Sequence, residues 1–115
     1  MVTENIQTKS FNFAVRIVNL SKVLRTERKE PIMTSQLLRS GTSIGANISE
    51  AQEAQSRADF ISKLNIALKE ARETEYWLKL LAATEYLSNT EFCSIIADCE
   101  ELIKILVVSV RSAKQ

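Results

Sequence analysis

The sequence contains no histidine, two glycines, one proline and two cysteines among its 115 residues. Without histidine, the common zinc-binding sets and the catalytic triads that use an imidazole base are excluded. So few glycines and prolines argue against a fold with many strands and turns, and favour a few long helices with short connections. We therefore predict a chain that is not an enzyme and that uses no cofactor.

The two cysteines, Cys93 and Cys99, are six residues apart within one helical pattern. At about 100° per residue, six steps place the two thiols well apart around a helix, so they cannot form a disulfide with each other. Their spacing also differs from that of metal-binding motifs. We predict that both are small core residues in a reducing compartment.

Excess charge and long apolar runs are lacking as well. The chain has 15 Lys/Arg and 14 Asp/Glu residues, a net charge of +1, so no overall field attracts nucleic acid or a membrane. The longest apolar run, residues 105–108, is far too short to cross a bilayer. The first residues also lack the pattern of a secretory signal. These features predict a cytoplasmic protein that makes no membrane contact.

The sequence does contain four segments with apolar residues at helical spacing. Pro31 separates the first from the second, because the residue before a proline avoids helical geometry. Ser56 is a good N-cap for the third, and Ser88 with Glu91 forms a capping box for the fourth. The predicted helices span residues 6–27, 31–54, 56–87 and 88–111, with a frayed tail over 112–115.

Short connections between long helices require neighbours to run antiparallel. The fold class we predict is therefore all-α, an antiparallel up-down-up-down four-helix bundle that forms a single domain over residues 1–115. The aromatic side chains fall at core spacing, so we expect them in the core rather than in a platform for base stacking. They are Phe11, Phe13, Phe60, Tyr76, Trp77, Tyr86 and Phe92.

A line of mostly polar residues runs beside the apolar stripes of the second and third helices. Because the turn near Ser56 fixes the register, residues whose numbers add up to about 113 should lie at one height. The expected pairs are Gln36–Trp77, Ser40–Glu73, Ser43–Glu70, Asn47–Ile66 and Glu50–Lys63, with Arg39 within reach of Glu70 and Glu73. We call these residues the polar seam, and interpret them as a structural or interface feature: Gln36, Arg39, Ser43, Asn47, Glu50, Lys63, Glu70, Glu73 and Trp77.

The sequence gives only weak support for a catalytic or phosphate-binding site on these two helices. Glu70 and Glu73 share a face and resemble an acid–base pair, but nearby cations favour structural pairing. A phosphate cradle at Gly41 and Gly45 lacks both a preceding strand and a following lysine. Small residues at this spacing allow close approach of another helix instead. No catalytic, cofactor-binding or metal-binding residue is predicted.

The third helix has an apolar arc wider than one core requires, which favours a homo-oligomer in which Trp77, Leu80 and Leu81 meet another chain. The alternative is that this helix is simply central. Residues 1–30 hold six Lys/Arg and three Asp/Glu, a basic bias that is otherwise an ordinary solvated helix face.

Residues 36–51 (QLLRSGTSIGANISEA), 59–64 (DFISKL) and 67–78 (ALKEARETEYWL) resemble the bacterial four-helix bundle proteins encoded in intervening sequences of 23S ribosomal RNA genes. The resemblance covers nearly the whole chain. It implies a ring, with a homopentamer as the expected assembly. That family is also similar to the accessory variability determinant of diversity-generating retroelements, a basic pentameric barrel that binds nucleic acid and a reverse transcriptase.

These features together lead to one functional hypothesis with one alternative. The first is a non-enzymatic oligomeric protein that binds ribosomal RNA or a ribonucleoprotein, because repeated basic residues bind phosphate multivalently. The alternative is a protein-interaction scaffold without direct nucleic-acid binding. Neither involves a small-molecule substrate. The candidate RNA contacts are Lys9, Arg16, Lys22, Arg25, Arg28 and Lys29.

Overall fold

The computed structural model describes residues 4–115, with side chains from residue 5 onward, and contains four α-helices. They are α1 (Glu4–Thr26), α2 (Ile32–Ala51), α3 (Arg57–Ala83) and α4 (Asn89–Lys114). No strand occurs in this range, so the predicted all-α four-helix fold is confirmed. Residues 1–3 of the predicted domain lie outside the described residues.

The helices surround the core in chain order, so that α1 contacts α2 and α4 while α1 and α3 occupy diagonal corners. Contacts between neighbours run in opposite order along the two helices. Lys9 pairs with Glu101 and Arg28 with Glu91, as antiparallel α1 and α4 require. Of the four neighbouring pairs, α1 and α4 are packed least closely. No described helix has the length and apolar character needed to cross a membrane.

The predicted apolar stripes converge in the centre of the bundle. Large side chains from all four helices are fully buried there, and Leu20, Phe60 and Leu68 pack on them while partly exposed. The burial of this apolar surface supplies the main driving force for folding. The largest fully buried side chains are Phe13, Ile6, Ile17, Leu24, Leu37, Ile44, Ile48, Leu64, Leu78, Leu81, Leu102 and Leu106.

The starts of the helices follow their capping residues. The Ser56 hydroxyl accepts a hydrogen bond from the Asp59 amide at 3.0 Å, and Ser88 and Glu91 form the predicted capping box. Pro31 has no side chain that could cap α2. Instead the buried Glu30 carboxylate accepts from the Thr34 amide at 3.0 Å, a cap that the sequence analysis missed.

The ends of α2 and α3 come about three residues earlier than predicted. Lys29 after α1 and Glu85 after α3 adopt left-handed backbone conformations, with φ of 59° and 69°. This conformation usually falls on glycine, so the sequence carried no clear stop signal near Glu85, whereas Pro31 marked the end of α1 to within one residue. The predicted fraying of the α4 tail is wrong, because helical structure continues to Lys114 and Arg57 donates to the carbonyl of Ala113 at 2.8 Å.

Three predicted core residues lie on the surface instead. Cys93 is exposed, whereas Cys99 is buried, and burial raises the pKa of the Cys99 thiol to about 12. Phe11 and Tyr76 are also exposed, by 68% and 57%. Helical spacing placed them incorrectly because each lies outside the arc that its helix turns towards the core.

Two glycines of α2 allow α1 to approach closely, but to different degrees. A Cβ atom at Gly41 would lie 2.8 Å from Cγ2 and 2.9 Å from Cγ1 of Ile17, a fully buried and β-branched side chain. A Cβ atom at Gly45 would have its nearest contact at 3.4 Å, the main-chain oxygen of Ser10. The first position is thus blocked, while the second has room for a methyl group.

We expect Gly41→Ala to destabilise the protein by about 1–2 kcal/mol, because overpacking outweighs the gain in helix propensity. The matched control, Gly45→Ala, should stabilise it by about 0.5–1 kcal/mol. Urea denaturation followed by circular dichroism measures both. Equal stabilisation by the two substitutions would show that the Ile17 side chain can move aside without loss of stability, which would contradict the prediction.

Candidate binding surfaces

Arg39 is the centre of the polar seam. Its guanidinium donates to Glu70 Oε1 at 3.2 Å and also to the carboxylate of Glu73. Glu73 accepts a further hydrogen bond from the indole N–H of Trp77 at 2.9 Å. Four side chains from α2 and α3 therefore form one connected polar network. Both carboxylates are occupied, and this geometry fits structural pairing better than acid–base chemistry.

The remaining seam residues divide into two kinds. Lys63 pairs with Glu50 across the helices at 3.2 Å, as the register predicts. By contrast, Gln36 accepts from Arg39 at 3.3 Å within its own helix, and Ser43 and Asn47 bond to main-chain carbonyls of α2. The register places Gln36 opposite Trp77 and Ser43 opposite Glu70, but the hydrogen bonds of both α2 residues are local: Gln36 accepts from Arg39, and Ser43 donates to the Arg39 carbonyl.

The expected Ser40–Glu73 pair is replaced by a buried hydrogen bond between Ser40 and Thr74, whose hydroxyl oxygens are 2.9 Å apart. Both residues are fully buried, whereas Glu73 turns outwards towards Arg39. The register was therefore correct to within one residue. Which side of α3 faces Ser40 depends on the rotation of the helix, which the register does not specify.

The basic residues of α1 are largely engaged within the chain. Lys9 pairs with Glu101 at 3.1 Å, and Arg16 pairs with Asp98 at 2.6 Å and donates to the Ser94 hydroxyl at 2.9 Å. These ion pairs join α1 to α4 across shallow grooves. Two of the six candidate RNA contacts are therefore neutralised by carboxylates of the same subunit.

Arg28, a third candidate, has a structural role. It donates to the Tyr86 carbonyl at 2.7 Å and to both Glu91 oxygens at 2.9 and 2.7 Å, so it ties the α1–α2 connection to the α3–α4 connection. Hydrogen bonds from Arg28, and next from the Ser88 amide, lower the pKa of Glu91 to about 2. Sequence reasoning missed this role because the two connections are distant along the chain.

The other three candidates remain available near the end of α1. Arg25 donates to the Ser35 hydroxyl at 3.1 Å and is exposed. Lys22 and Lys29 are exposed and form no ion pair among the described residues. Three of the six candidate RNA contacts therefore form no ion pair among the described residues.

An uncharged groove lies between α1 and α2. It has a volume of about 580 Å³, and none of the described side chains that line it is charged. Phe11 stands at its edge with 68% of its surface exposed, and Val15 follows one turn later with 45%. We call this surface the α1/α2 groove; its lining residues are Gln7, Thr8, Ser10, Phe11, Ala14, Thr42, Gly45, Ala46, Ile48 and Ser49.

The three α3 residues expected to meet another chain differ in exposure. Leu81 is fully buried in the core of its own subunit, whereas Trp77 and Leu80 are half-buried. Tyr76 is the aromatic residue that α3 presents to solvent. Among the described residues, no cluster of three or more Cys, Asp or Glu side chains is arranged to hold a metal ion.

Comparisons with known proteins agree with this architecture. A sequence model of the 23S rRNA-intervening sequence protein family matches residues 3–108. A 1.70 Å crystal structure of a protein with unknown function from the S23 ribosomal protein family, from Bacteroides thetaiotaomicron, superimposes with a TM-score of 0.91. The two sequences are 60% identical over 92% of this chain and 95% of the other. A comparison with curated proteins finds no match.

A charge-reversal cycle tests the pairing across α2 and α3. Glu50→Lys should lower the free energy of unfolding by about 0.5–1 kcal/mol through repulsion with Lys63, and adding Lys63→Glu should restore part of the loss. Thermal melts measure all four combinations. Glu53→Lys, which changes an exposed and unpaired acid nearby, serves as the control. Strictly additive losses in the double variant would exclude the coupling.

The Arg28–Glu91 pair predicts a pH dependence. Because the folded-state pKa of Glu91, about 2, is below its ordinary value of 4.5, the ionised carboxylate stabilises the fold above pH 4.5. That contribution is lost as the pH falls from 4.5 towards 2. Since 38% of the side chain is exposed, we expect about 1 kcal/mol rather than the full value of the shift.

Glu91→Gln, which keeps an acceptor for the capping box, should therefore destabilise the protein at pH 7 and lose this effect near pH 2. Urea denaturation at several pH values measures the difference. Glu100→Gln removes an exposed acid from the same helix and should cost less than half as much at pH 7. A constant difference between wild type and Glu91→Gln at all pH values would contradict the assignment.

Proposed function

Because this chain belongs to the 23S rRNA-intervening sequence protein family, we propose that it is a non-enzymatic protein which assembles with copies of itself and binds ribosomal RNA or a ribonucleoprotein. The main structural support for self-assembly is the α1/α2 groove. The ribosomal partner is supported by the link of this family to 23S rRNA and by the S23 ribosomal protein family to which the Bacteroides relative belongs. A cytoplasmic location belongs to the same proposal.

The α1/α2 groove has the character of a protein contact. Residues 40–49 contain no charged side chain, although several of them face the surface. A concave and uncharged face beside an exposed phenylalanine is typical of an interaction site, since folded monomers rarely leave such patches open. A second copy is the partner favoured by the ring that the family resemblance implies. In a ring each copy presents two different faces to its neighbours.

The absence of catalysis is also part of the proposal. The carboxylates best placed for acid–base work, Glu70 and Glu73, are bound by Arg39 and Trp77. The exposed thiol of Cys93 has only a distant contact, with Asn89 Oδ1 at 3.7 Å. These groups have structural partners or no activating neighbour, which supports a binding function.

A protein-interaction scaffold is the second candidate, and one observation favours it. Lys9, Arg16 and Arg28 are paired with carboxylates of α4, so half of the predicted RNA contacts offer little free charge. Affinity for nucleic acid depends on phosphates that free cations neutralise. A chain with few such cations is better suited to a protein partner.

The oligomeric state tests the assembly. We expect light scattering to give a multiple of the 13.0 kDa subunit mass, with five subunits as the predicted number. Phe11→Glu should lower the mass, because it places a charge on the edge of the uncharged groove. Val108→Glu is the matched control: Val108 is 58% exposed on α4 and its replacement should leave the mass unchanged. A monomeric wild type would remove the proposal.

The ligand is tested separately on the assembled protein. An electrophoretic shift with structured ribosomal RNA at physiological salt should show binding below about 100 μM, the upper end of non-specific affinities. An assembled protein that binds no RNA, but retains a protein partner after nuclease treatment, would support the scaffold instead.

A further inference from the structure

The outward face of α3 carries three cations and one aromatic residue in a single line. Lys69, Arg72, Tyr76 and Lys79 follow one another at intervals of three or four residues, so they share one face of the helix. All four are exposed. Together they extend for about 15 Å along the helix axis. We call these four residues the α3 basic stripe.

No carboxylate interrupts this line. Glu70 and Glu73 turn towards α2, where they bind Arg39. Glu75 lies on the opposite flank, beside Glu100 of α4. Lys69 and Arg72 form no ion pair among the described residues, so their charges are free for a ligand. Their positive field is therefore local, although the net charge of the whole chain is only +1.

Lys79 contributes to the stripe despite its contact with Glu75. The two charged groups are 3.6 Å apart, and 59% of the Lys79 side chain remains exposed. This contact is longer than the Lys9–Glu101 and Arg16–Asp98 pairs, at 3.1 and 2.6 Å, and Lys79 is the most exposed cation of the three, so a phosphate displaces its carboxylate more easily.

Tyr76 is held in place although most of its surface is open. Its ring packs edge-on against Trp77, with centroids 5.1 Å apart and an interplanar angle of 74°. The Trp77 indole is fixed in turn by its hydrogen bond to Glu73, which also binds Arg39. Residues of the polar seam thus hold the exposed Tyr76 ring in a fixed position. A ring that is already ordered loses little conformational entropy when a ligand stacks on it.

We propose that the α3 basic stripe is a contact site for single-stranded RNA, with a base stacked on Tyr76 and phosphates bound by Lys69, Arg72 and Lys79. This combination of cations around an exposed aromatic ring is the usual chemistry of single-strand recognition. A duplex fits less well, because its bases are already stacked and cannot reach the tyrosine. The inference rests on the proposed RNA binding and moves the contact from α1 to α3.

The stripe is separate from the surface proposed for assembly. Since α1 and α3 occupy diagonal corners of the bundle, a copy seated in the α1/α2 groove does not itself lie on the outward face of α3, and the second contact face of each copy in a ring must then be another part of the surface. Each subunit of an oligomer would then present one stripe. Linked stripes bind one long strand far more tightly than a single stripe does.

The test uses the full-length protein and a fluorescein-labelled oligouridine, with fluorescence anisotropy recorded over a range of salt concentrations. Tyr76→Ala should weaken binding by about 5–150-fold, the range expected for loss of one stacked base, whereas Tyr76→Phe should bind like wild type. Lys69→Gln with Arg72→Gln should lower the slope of log affinity against log salt by about 1.4 per stripe.

The control removes the same charge from the end of α4. Arg111→Gln with Lys114→Gln should change neither the affinity nor the slope, because both residues are exposed in the last turn of α4 and do not belong to the stripe. An RNA duplex of equal length should bind wild type more weakly than oligouridine does. Light scattering on every variant should give the wild-type mass.

Several outcomes would overturn the inference while leaving the assembly intact. These are an oligomeric wild type that binds no oligouridine below about 100 μM, stripe variants that bind like wild type, or an equal loss in the α4 control variant. A lower mass for Tyr76→Ala would instead make this face an assembly contact. A monomeric wild type contradicts the proposed oligomer, whatever the stripe binds.

Discussion

Arginine–carboxylate pairs between helices determine which charges of this bundle remain open to a partner. Arg39 holds Glu70 and Glu73 where α2 meets α3, and Arg28 holds Glu91 where two connections meet. A partly buried carboxylate left without such a partner would destabilise the fold. The charges of these arginines are therefore used within the fold, and an anionic ligand must be bound by other cations on the surface.

The same pairing gives the faces of the bundle different characters. The α1/α2 groove is uncharged, and the charges between α1 and α4 largely neutralise one another. On the outward face of α3, Lys69 and Arg72 form no ion pair among the described residues, because Arg39 binds Glu70 and Glu73 on the side towards α2. An uncharged face suits contact with another protein, whereas a face with free cations suits a polyanion. The two proposals therefore rest on different surfaces of one subunit.

Much of the fold follows from local sequence signals. Ser56 and Ser88 mark two helix starts, because a capping hydroxyl acts on an amide only three residues away. The ends of α2 and α3 were harder to place, and after α3 Glu85 occupies a position that usually falls to glycine. The exposure of Cys93, Phe11 and Tyr76 was missed because apolar spacing predicts a stripe but not its edges.

The amino-acid sequence by itself determined the number of helices, their apolar stripes and the register that brings Glu50 to Lys63, because helical rise and periodicity are properties of the backbone. Only the tertiary structure decided which cations are free. Carboxylates of α4 form ion pairs with three of the candidate cations, Lys9, Arg16 and Arg28. Each carboxylate follows its partner by more than sixty positions in the sequence. Such pairing depends on how each helix is rotated against its neighbours, and the packing of the whole core sets that rotation.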